Sequence, residues 1–433
     1  MTKYRQRLTD LLMRASPERR QKFFARLSDD ELDFLLYDWQ IWARSKQLPP
    51  PGAWTIWLMI AGRGFGKTRA GSEWVRSVAS RAECGLIALV GHTFDDVRHV
   101  MVEGNSGIIS ISPPAERPQW FPSKRLLVWA NGVKARCYSA EDPDQLRGPE
   151  HEKAWCDEIA KWRYRQTWDN LLMGLRAGTR PQVLATTTPR PLRWLNELAT
   201  SPQVHLTQGH SYENAANLAD GFINLMKQRY ANSHLLAQEI EGKLLTELPN
   251  ALWTRKVLAA SYGTPPPRQD LSLVVVGVDP AVGGDDETGI IVAGKSPEGV
   301  VWILDDVSLK APPRQWVNRI ISVAKKWRVH AVVVEVNQGG DVIIDMMRSQ
   351  KITLPIRKVR ARHGKARRAE PVAALYGAGQ IRHARIFAEL EDQMCSCVPG
   401  QKQTPSPDRL DAMVWAVKGL DIRGQARATM LPI

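Results

Sequence analysis

Cysteine is scarce in this chain. Only five occur among 433 residues, at positions 84, 137, 156, 395 and 397. None forms a Cys-x-x-Cys pair, which excludes a disulfide framework and a cysteine-built zinc site and points to a reducing compartment. Long apolar runs are missing too. The longest, such as TIWLMIAG and LSLVVVGV, are too short to span a bilayer and read as buried strands, so no membrane association is expected. The opening stretch MTKYRQRLTDLLMRASPERR is charged throughout and lacks the apolar centre of a signal peptide, so secretion is not expected. There is no internal repeat and no low-complexity tract. Negative charge is in short supply: 45 acids face 59 Lys and Arg, leaving +14, a surplus that favours an acidic polymer such as nucleic acid as partner.

What is present is an ordinary globular composition, 43% apolar and 24% charged, long enough for two substantial cores. Ser28 and Glu31 form a capping box that starts a helix running towards Arg44, and Pro49, Pro50 and Pro51 end it. From Trp54 to Gly242 strand-like runs alternate with helical stretches, the pattern of a mostly parallel sheet with helices on both faces. Residues 246–270, with three consecutive prolines, read as a connection. Three strands in quick succession follow (LSLVVVGVD, TGIIVAGK, GVVWILDDVSL), then alternating helices and strands, an order that is not a second nucleotide-binding sheet. The expected organisation is a helical lead-in over 1–50, an α/β nucleotide-binding domain over 51–245, a linker over 246–270 and a mixed-sheet domain over 271–433.

The stretch AGRGFGKTRAGSEW matches the phosphate-binding loop pattern G-x-x-x-x-G-K-[ST] except that Ala61 stands at its first position. A strand precedes it and a helix follows, so the backbone around Gly62, Gly64 and Gly66 is expected to cradle phosphates at a helix N-terminus. Lys67 would meet the β- and γ-phosphates and the Thr68 hydroxyl a Mg²⁺. Such a site needs a carboxylate for the metal and a group to orient the attacking water. KAWCDEIA supplies Asp157 for the first and Glu158 for the second, which points to ATP hydrolysis. Taken alone, the acidic pair would read as a solvated strand end. The hydroxyls of Thr186, Thr187 and Thr188 would end near the γ-phosphate if their strand lies beside that of Asp157; a polar strand end with a proline stop is the alternative.

In the second half Asp279 closes one strand, Glu335 closes another, and Asp411 lies in the last helix with Asp408 three residues earlier on the same face. Asp279, Glu335 and Asp411 can converge on a pair of divalent metals, Mg²⁺ or Mn²⁺, that cut a phosphodiester, with Asp285 in reach of the second. The strand order around them is that of a ribonuclease H-like fold. Between Lys351 and Arg385 ten Lys or Arg stand against one acid, Glu370, a run suited to sequence-independent contacts with DNA phosphates.

With these residues in place the chain resembles the large terminase subunit of tailed bacteriophages and gene transfer agents. The resemblance rests on WARSKQLPPPGAWTIWLMIAGRGFGKTRAG, DPDQLRGPEHEKAWCDEIAKW, ATTTPRP, VVVGVDPAVGG, VVVEVNQGGD, KARRAEPVAALY and DRLDAMVWA, in the family's order. It implies that Gln47, with Trp42, sits beside the adenine. It implies two arginine-finger candidates, Arg63 and Arg147, and a role for Thr186 to Thr188 in coupling hydrolysis to DNA movement. It leaves open whether Asp408 or Asp411 does more in the nuclease. The activity it implies is packaging of double-stranded DNA into a procapsid and cutting of the concatemer. The implied partners are DNA, the portal protein, a small terminase subunit and further copies in a ring of about five, from a chain that is monomeric alone. The implied place is the cytoplasm of the bacterial host, transiently at the procapsid portal. A helicase or repair translocase fused to a nuclease is the rival enzyme, and a DNA-binding scaffold with an inactive ATP site the rival from outside enzymes.

Overall fold

In the computed structural model residues 11–12, 15–230, 234–281, 287–336, 340–349, 354–361, 364–401 and 406–420 are described. The chain divides into two compact units, 1–246 and 247–433.

The first unit is built on eight strands: β1 (Ile56–Ala61), β2 (Leu86–Gly91), β3 (Gln119–Phe121), β4 (Leu126–Val128), β5 (Lys134–Ser139), β6 (Lys153–Cys156), β7 (Gln182–Thr187) and β8 (Val204–Gly209). Their order across the sheet is β3-β4-β5-β2-β6-β7-β1-β8. Pairing is parallel from β5 to β8, and only the β3-β4-β5 edge is antiparallel. The central strands are apolar on both faces because both are covered. Along β1, Trp57, Met59 and Ala61 enter a core shared with Ala70, Trp74 and Val75 of the helix Lys67–Ser80. The alternate residues Ile56, Leu58 and Ile60 enter a second core, with Trp168 and Leu171 of the helix Arg165–Gly174.

The Ser28–Glu31 capping box is present, but its helix stops at Tyr37. Asp38 accepts the Gln40 N–H and starts a separate short turn, Trp39–Trp42, so the expected single helix to Arg44 is broken by a second cap.

The second unit holds β9 (Leu273–Asp279), β10 (Gly289–Lys295), β11 (Val301–Asp306), β12 (Ala331–Glu335), β13 (Ile356–Val359) and β14 (Ile381–His383), ordered β13-β12-β9-β10-β11-β14. β9, β10 and β11 pair antiparallel, while β12, β13 and β14 join in parallel. Within 247–270, read from sequence as a connection, Trp253 and Leu258 are buried in this unit's core. The last helix, Asp408–Leu420, lies directly on the sheet. A side chain at Gly277 would meet the Ala412 carbonyl oxygen at 2.1 Å, and one at Gly289 the Asp408 carbonyl oxygen at 2.0 Å. Those two glycines set the approach that brings Asp408 and Asp411 to the end of β9.

Candidate nucleotide and nuclease sites

The loop between β1 and the helix Lys67–Ser80 turns through two left-handed glycines, Gly64 (φ +73°) and Gly66 (φ +92°), a conformation that side-chain-bearing residues rarely adopt. Four side chains hold its carbonyls from outside. Ser211 Oγ donates to Arg63 O at 2.6 Å, Asn214 Nδ2 to Gly64 O at 2.6 Å, an Arg44 guanidinium nitrogen to Phe65 O, and Gln47 Nε2 to Gly66 O at 3.1 Å. Arg44 also donates to Asn214 Oδ1, and Lys46 pairs with Glu213 at 2.9 Å, so the segments before and after the loop are tied across it. Among the described residues the N–H groups of Gly64, Gly66, Lys67 and Thr68 meet no acceptor within the chain. A loop with its carbonyls anchored and its N–H groups open, at a helix start, is an anion cradle.

Lys67 is buried and its ammonium donates to Ala61 O at 3.0 Å, Gly62 O at 3.3 Å and Thr188 Oγ1 at 3.0 Å. It lies 3.5 Å from Glu158 Oε1. Glu158 takes a left-handed backbone conformation (φ 50°) just past β6, and its carboxylate accepts from Thr188 N–H at 3.1 Å and Thr188 Oγ1 at 3.2 Å. Burial alone would raise its pKa, but Lys67 and the Thr188 N–H outweigh that and hold the carboxyl below its ordinary value. Asp157 next to it goes the other way. Burial, and then Glu158, push it up to about 6, against a hydrogen bond from Thr186 Oγ1 at 2.6 Å. A carboxylate that bears its charge this reluctantly suits a divalent cation, which would restore the charged form.

β7 does lie beside β6, with Cys156 opposite Ala185, and β1 flanks it on the other side. The hydroxyls at its end therefore come beside the acidic pair, and that of Thr188, one residue past the strand, bridges the pair to the loop lysine. Thr186 meets Asp157, Thr188 meets Lys67 and Glu158, and Thr187 Oγ1 accepts the Ala160 N–H at 3.0 Å. Thr68, in the first turn of the helix, is partly buried.

Gln47 is buried with its amide committed to Gly66, whereas Trp42 is 38% exposed and its indole N–H goes to Leu35 O, away from the loop. Arg63 is exposed and tied to Glu239 through both its backbone and its guanidinium. Arg147 ends the short turn Pro143–Leu146, is exposed, and pairs only loosely with Asp144 at 3.2 Å. Sequence reasoning passed over Arg44, Ser211 and Asn214, since nothing local marks residues whose partners lie up to 170 positions away.

In the second unit the acids gather around two cations of the helix Lys365–Gly377. Lys365 Nζ lies 2.5 Å from Asp411 Oδ2, 3.9 Å from Asp408 Oδ1 and 4.0 Å from Asp279 Oδ2. Arg368 donates to Asp411 Oδ1 at 2.7 Å, lies 3.5 Å from Glu335 Oε1 and stacks on Trp415, whose indole N–H donates to Glu335 Oε2 at 2.6 Å. Burial, and then Asp411, drive Asp279 well above its ordinary pKa. Burial would lower that of Lys365, but Asp411 first and then Asp279 and Asp408 hold it raised. Among the described residues no three acidic, His or Cys side chains close into a metal cage. The donor set, carboxylates alone, nevertheless fits hard divalent ions. Asp285 lies outside the described residues.

The basic run is thus not one open face. Lys365 and Arg368 are turned into the acid cluster and Arg385 pairs with Asp305 at 2.8 Å, while Arg360, Arg367 and Arg382 are exposed. Arg409 beside Asp408 escaped the sequence reading as well. It is nearly buried and spans Glu287, at 2.9 and 2.7 Å, and Asp306, at 2.7 Å, fixing the start of the last helix to the sheet.

Residues 276–419 match the family model described as a terminase RNaseH-like domain, and residues 58–257 match that of the terminase large subunit, T4likevirus-type, N-terminal. The chain belongs to the large-terminase family. This terminase is accordingly a viral DNA-packaging enzyme with an ATPase unit and a nuclease unit, and not a scaffold or a repair translocase. Solved structures similar to this terminase include the HK97 bacteriophage large terminase (14% identity, 91% of this chain and 95% of that one, TM-score 0.43). The large terminase of a thermophilic bacteriophage has 12% identity over 90% and 98%, with a TM-score of 0.40. The Thermus phage P74-26 large terminase ATPase domain has 18% identity over 51% and 100%, also at 0.40. No curated protein matches this chain. No helix among the described residues is long and apolar enough to cross a membrane.

Proposed function

We propose that this terminase hydrolyses ATP at the loop Gly62–Thr68 and cuts DNA at the acids of the last helix and the ends of β9 and β12. The observation that carries the ATPase assignment is the Lys67–Glu158–Thr188 contact set at the mouth of the open loop. The N–H groups of Gly64, Gly66, Lys67 and Thr68 bind the phosphates, and Lys67 trades its internal carbonyl partners for the β- and γ-oxygens. Glu158 stays ionised beside Thr188 and accepts a hydrogen bond from the attacking water, aiming it at the γ-phosphorus. Thr68 and Asp157 hold the nucleotide's Mg²⁺, and Gln47 braces the loop from the adenine side. Thr187 and its neighbours on β7 report the state of the γ-position. Arg147, on an exposed loop, is the finger offered to a neighbouring subunit; Arg63 is the alternative within the same subunit.

In the nuclease unit Asp279, Glu335, Asp408 and Asp411, with Asp285, hold two Mg²⁺ or Mn²⁺. Those ions supply charge neutralisation on the attacking and leaving oxygens of the phosphodiester and a water acidic enough to act near neutral pH. Arg368 fixes Asp411 and Glu335, and the exposed arginines of the basic run contact the DNA backbone. The portal, the small subunit and other copies in a ring complete the working motor in the host cytoplasm, with an ATPase domain near 51–245 and a nuclease domain that takes in 247–270 together with 271–433, since Trp253 and Leu258 lie in its core.

Separation of the two activities tests this reading. Glu158→Gln abolishes ATP turnover and leaves DNA cutting intact, and Asp279→Ala does the reverse; loss of both activities in either folded variant overturns it.

A further inference from the structure

Lys365 and Arg368 enter one cluster of four carboxylates from the same helix, a single turn apart, and share Asp411, yet they are held very differently. The Arg368 side chain is 5% exposed and sandwiched between Asp411, Glu335 and the Trp415 ring, so no movement of it is possible without opening the core. The Lys365 side chain is 43% exposed. It stands at the first residue of its helix, and among the described residues its ammonium touches, apart from carboxylates, only Ser406 Oγ, at 2.7 Å. Its position is nonetheless central, within 4.0 Å of Asp279, Asp408 and Asp411 at once.

A point charge surrounded by oxygens from three carboxylates occupies the place a hard cation would take, and an ammonium cannot share that place with a divalent ion without strong repulsion. We propose that Lys365 is a displaceable counter-ion of the nuclease site, holding Asp279, Asp408 and Asp411 together without metal and leaving when a divalent ion enters. The proposal rests on the assignment of these acids as metal ligands. Its long, half-exposed stem lets the ammonium swing outward while Arg368 stays behind as the permanent partner of Asp411. Metal loading and the position of Lys365 then become one equilibrium. The evicted ammonium is left at the rim of the site, where a DNA phosphate gives it a new partner, so DNA and metal assist each other's binding.

The test is calorimetric titration of Mn²⁺ into the full chain, without DNA, for the wild type, Lys365→Met, Lys365→Gln, Arg367→Met and Asp411→Asn. Arg367 is exposed on the same helix and controls for the loss of one positive charge nearby. Both Lys365 variants are expected to bind Mn²⁺ at least about tenfold more tightly than the wild type, with Arg367→Met within about twofold. They are also expected to melt at lower temperature than the wild type in chelator and to gain more from Mn²⁺. Equal shifts for the Lys365 and Arg367 variants, or no tightening in either Lys365 variant, overturn the proposal while leaving the metal site standing. If Asp411→Asn titrates like the wild type, the metal-site assignment itself fails, and the proposal with it.

Discussion

One oxygen of the Glu158 carboxylate lies 3.5 Å from the Lys67 ammonium, while the other accepts the Thr188 backbone N–H at 3.1 Å. The acid proposed to orient water and the lysine proposed to bind phosphate are therefore held by the same threonine, whose hydroxyl reaches both, at 3.2 and 3.0 Å. Thr188→Val keeps the shape and removes only the hydroxyl. ATP turnover at saturating nucleotide is expected to fall roughly 10- to 100-fold with nucleotide affinity changed little, because alignment in the transition state is what is lost. Steady-state kinetics beside equilibrium binding of an ATP analogue measure both, and an unchanged kcat would show that Thr188 aligns nothing.

Arg147 and Arg63 are separated by a mixing experiment. Arg147→Ala is expected to bind ATP normally and hydrolyse it poorly, consistent with effects of roughly 10³ to 10⁵ for arginine fingers elsewhere. Mixed with Glu158→Gln, itself inactive, it should recover part of the activity at interfaces where an intact Arg147 meets an intact Glu158. Full activity of Arg147→Ala under assembling conditions would move the finger to Arg63, whose loss no such mixture can rescue.

His151 lies fully buried against Tyr138, and among the described residues neither ring nitrogen has a hydrogen-bond partner. Burial, with a smaller contribution from Arg136, pushes its pKa down to about 4 from an ordinary 6.5. The folded state thus refuses a proton that the unfolded chain accepts. Its contribution is fully present above about pH 6.5 and is lost as pH falls from there towards 4, by on the order of 3 kcal/mol in all. Denaturation of the wild type and His151→Phe at pH 7.5 and 4.5 should show a smaller acid penalty in the variant; parallel losses would assign the acid sensitivity to other groups.

Arg409 is the cation between two buried acids, Glu287 and Asp306. Arg409→Met leaves both carboxylates without it, and a loss of about 3–5 kcal/mol is expected in the unfolding of the nuclease unit. DNA cutting should decline with stability while ATP turnover persists. Thermal unfolding followed with both activities reads this directly, and a wild-type melting profile would contradict it.

DNA binding by the isolated protein is expected to weaken steeply with salt and to show little base preference, because exposed arginines such as Arg360, Arg367 and Arg382 can meet only backbone charge. Binding isotherms over a salt series on unrelated duplexes test it. A sequence preference that survives high salt would oppose it.

Much of this was legible before any coordinates. The loop Gly62–Thr68, the Asp157–Glu158 pair and the succession of strands and helices in both units follow from short-range patterns, because a nucleotide loop and a buried parallel strand each impose their chemistry on consecutive residues. What stayed hidden was everything made by distant partners. Asn214 and Gly64 meet across 150 positions, and Lys365 and Arg368 read as part of a solvated basic run until the acids of the last helix were placed beside them. The packing of Trp42 was hidden for a related reason: its indole N–H goes back to Leu35 of the preceding helix, past the break at Asp38.

The four outward-held carbonyls of Arg63, Gly64, Phe65 and Gly66 bear on how the motor resets. A loop already shaped by its neighbours costs an arriving nucleotide no ordering entropy, and a departing one leaves no disorder behind. The ordering cost of the loop is then the same for reactant and product. On the proposed ATPase reading, telling a triphosphate from a diphosphate then falls to Lys67, Glu158 and Thr188, and product escape is timed by their rearrangement and not by refolding of the cradle.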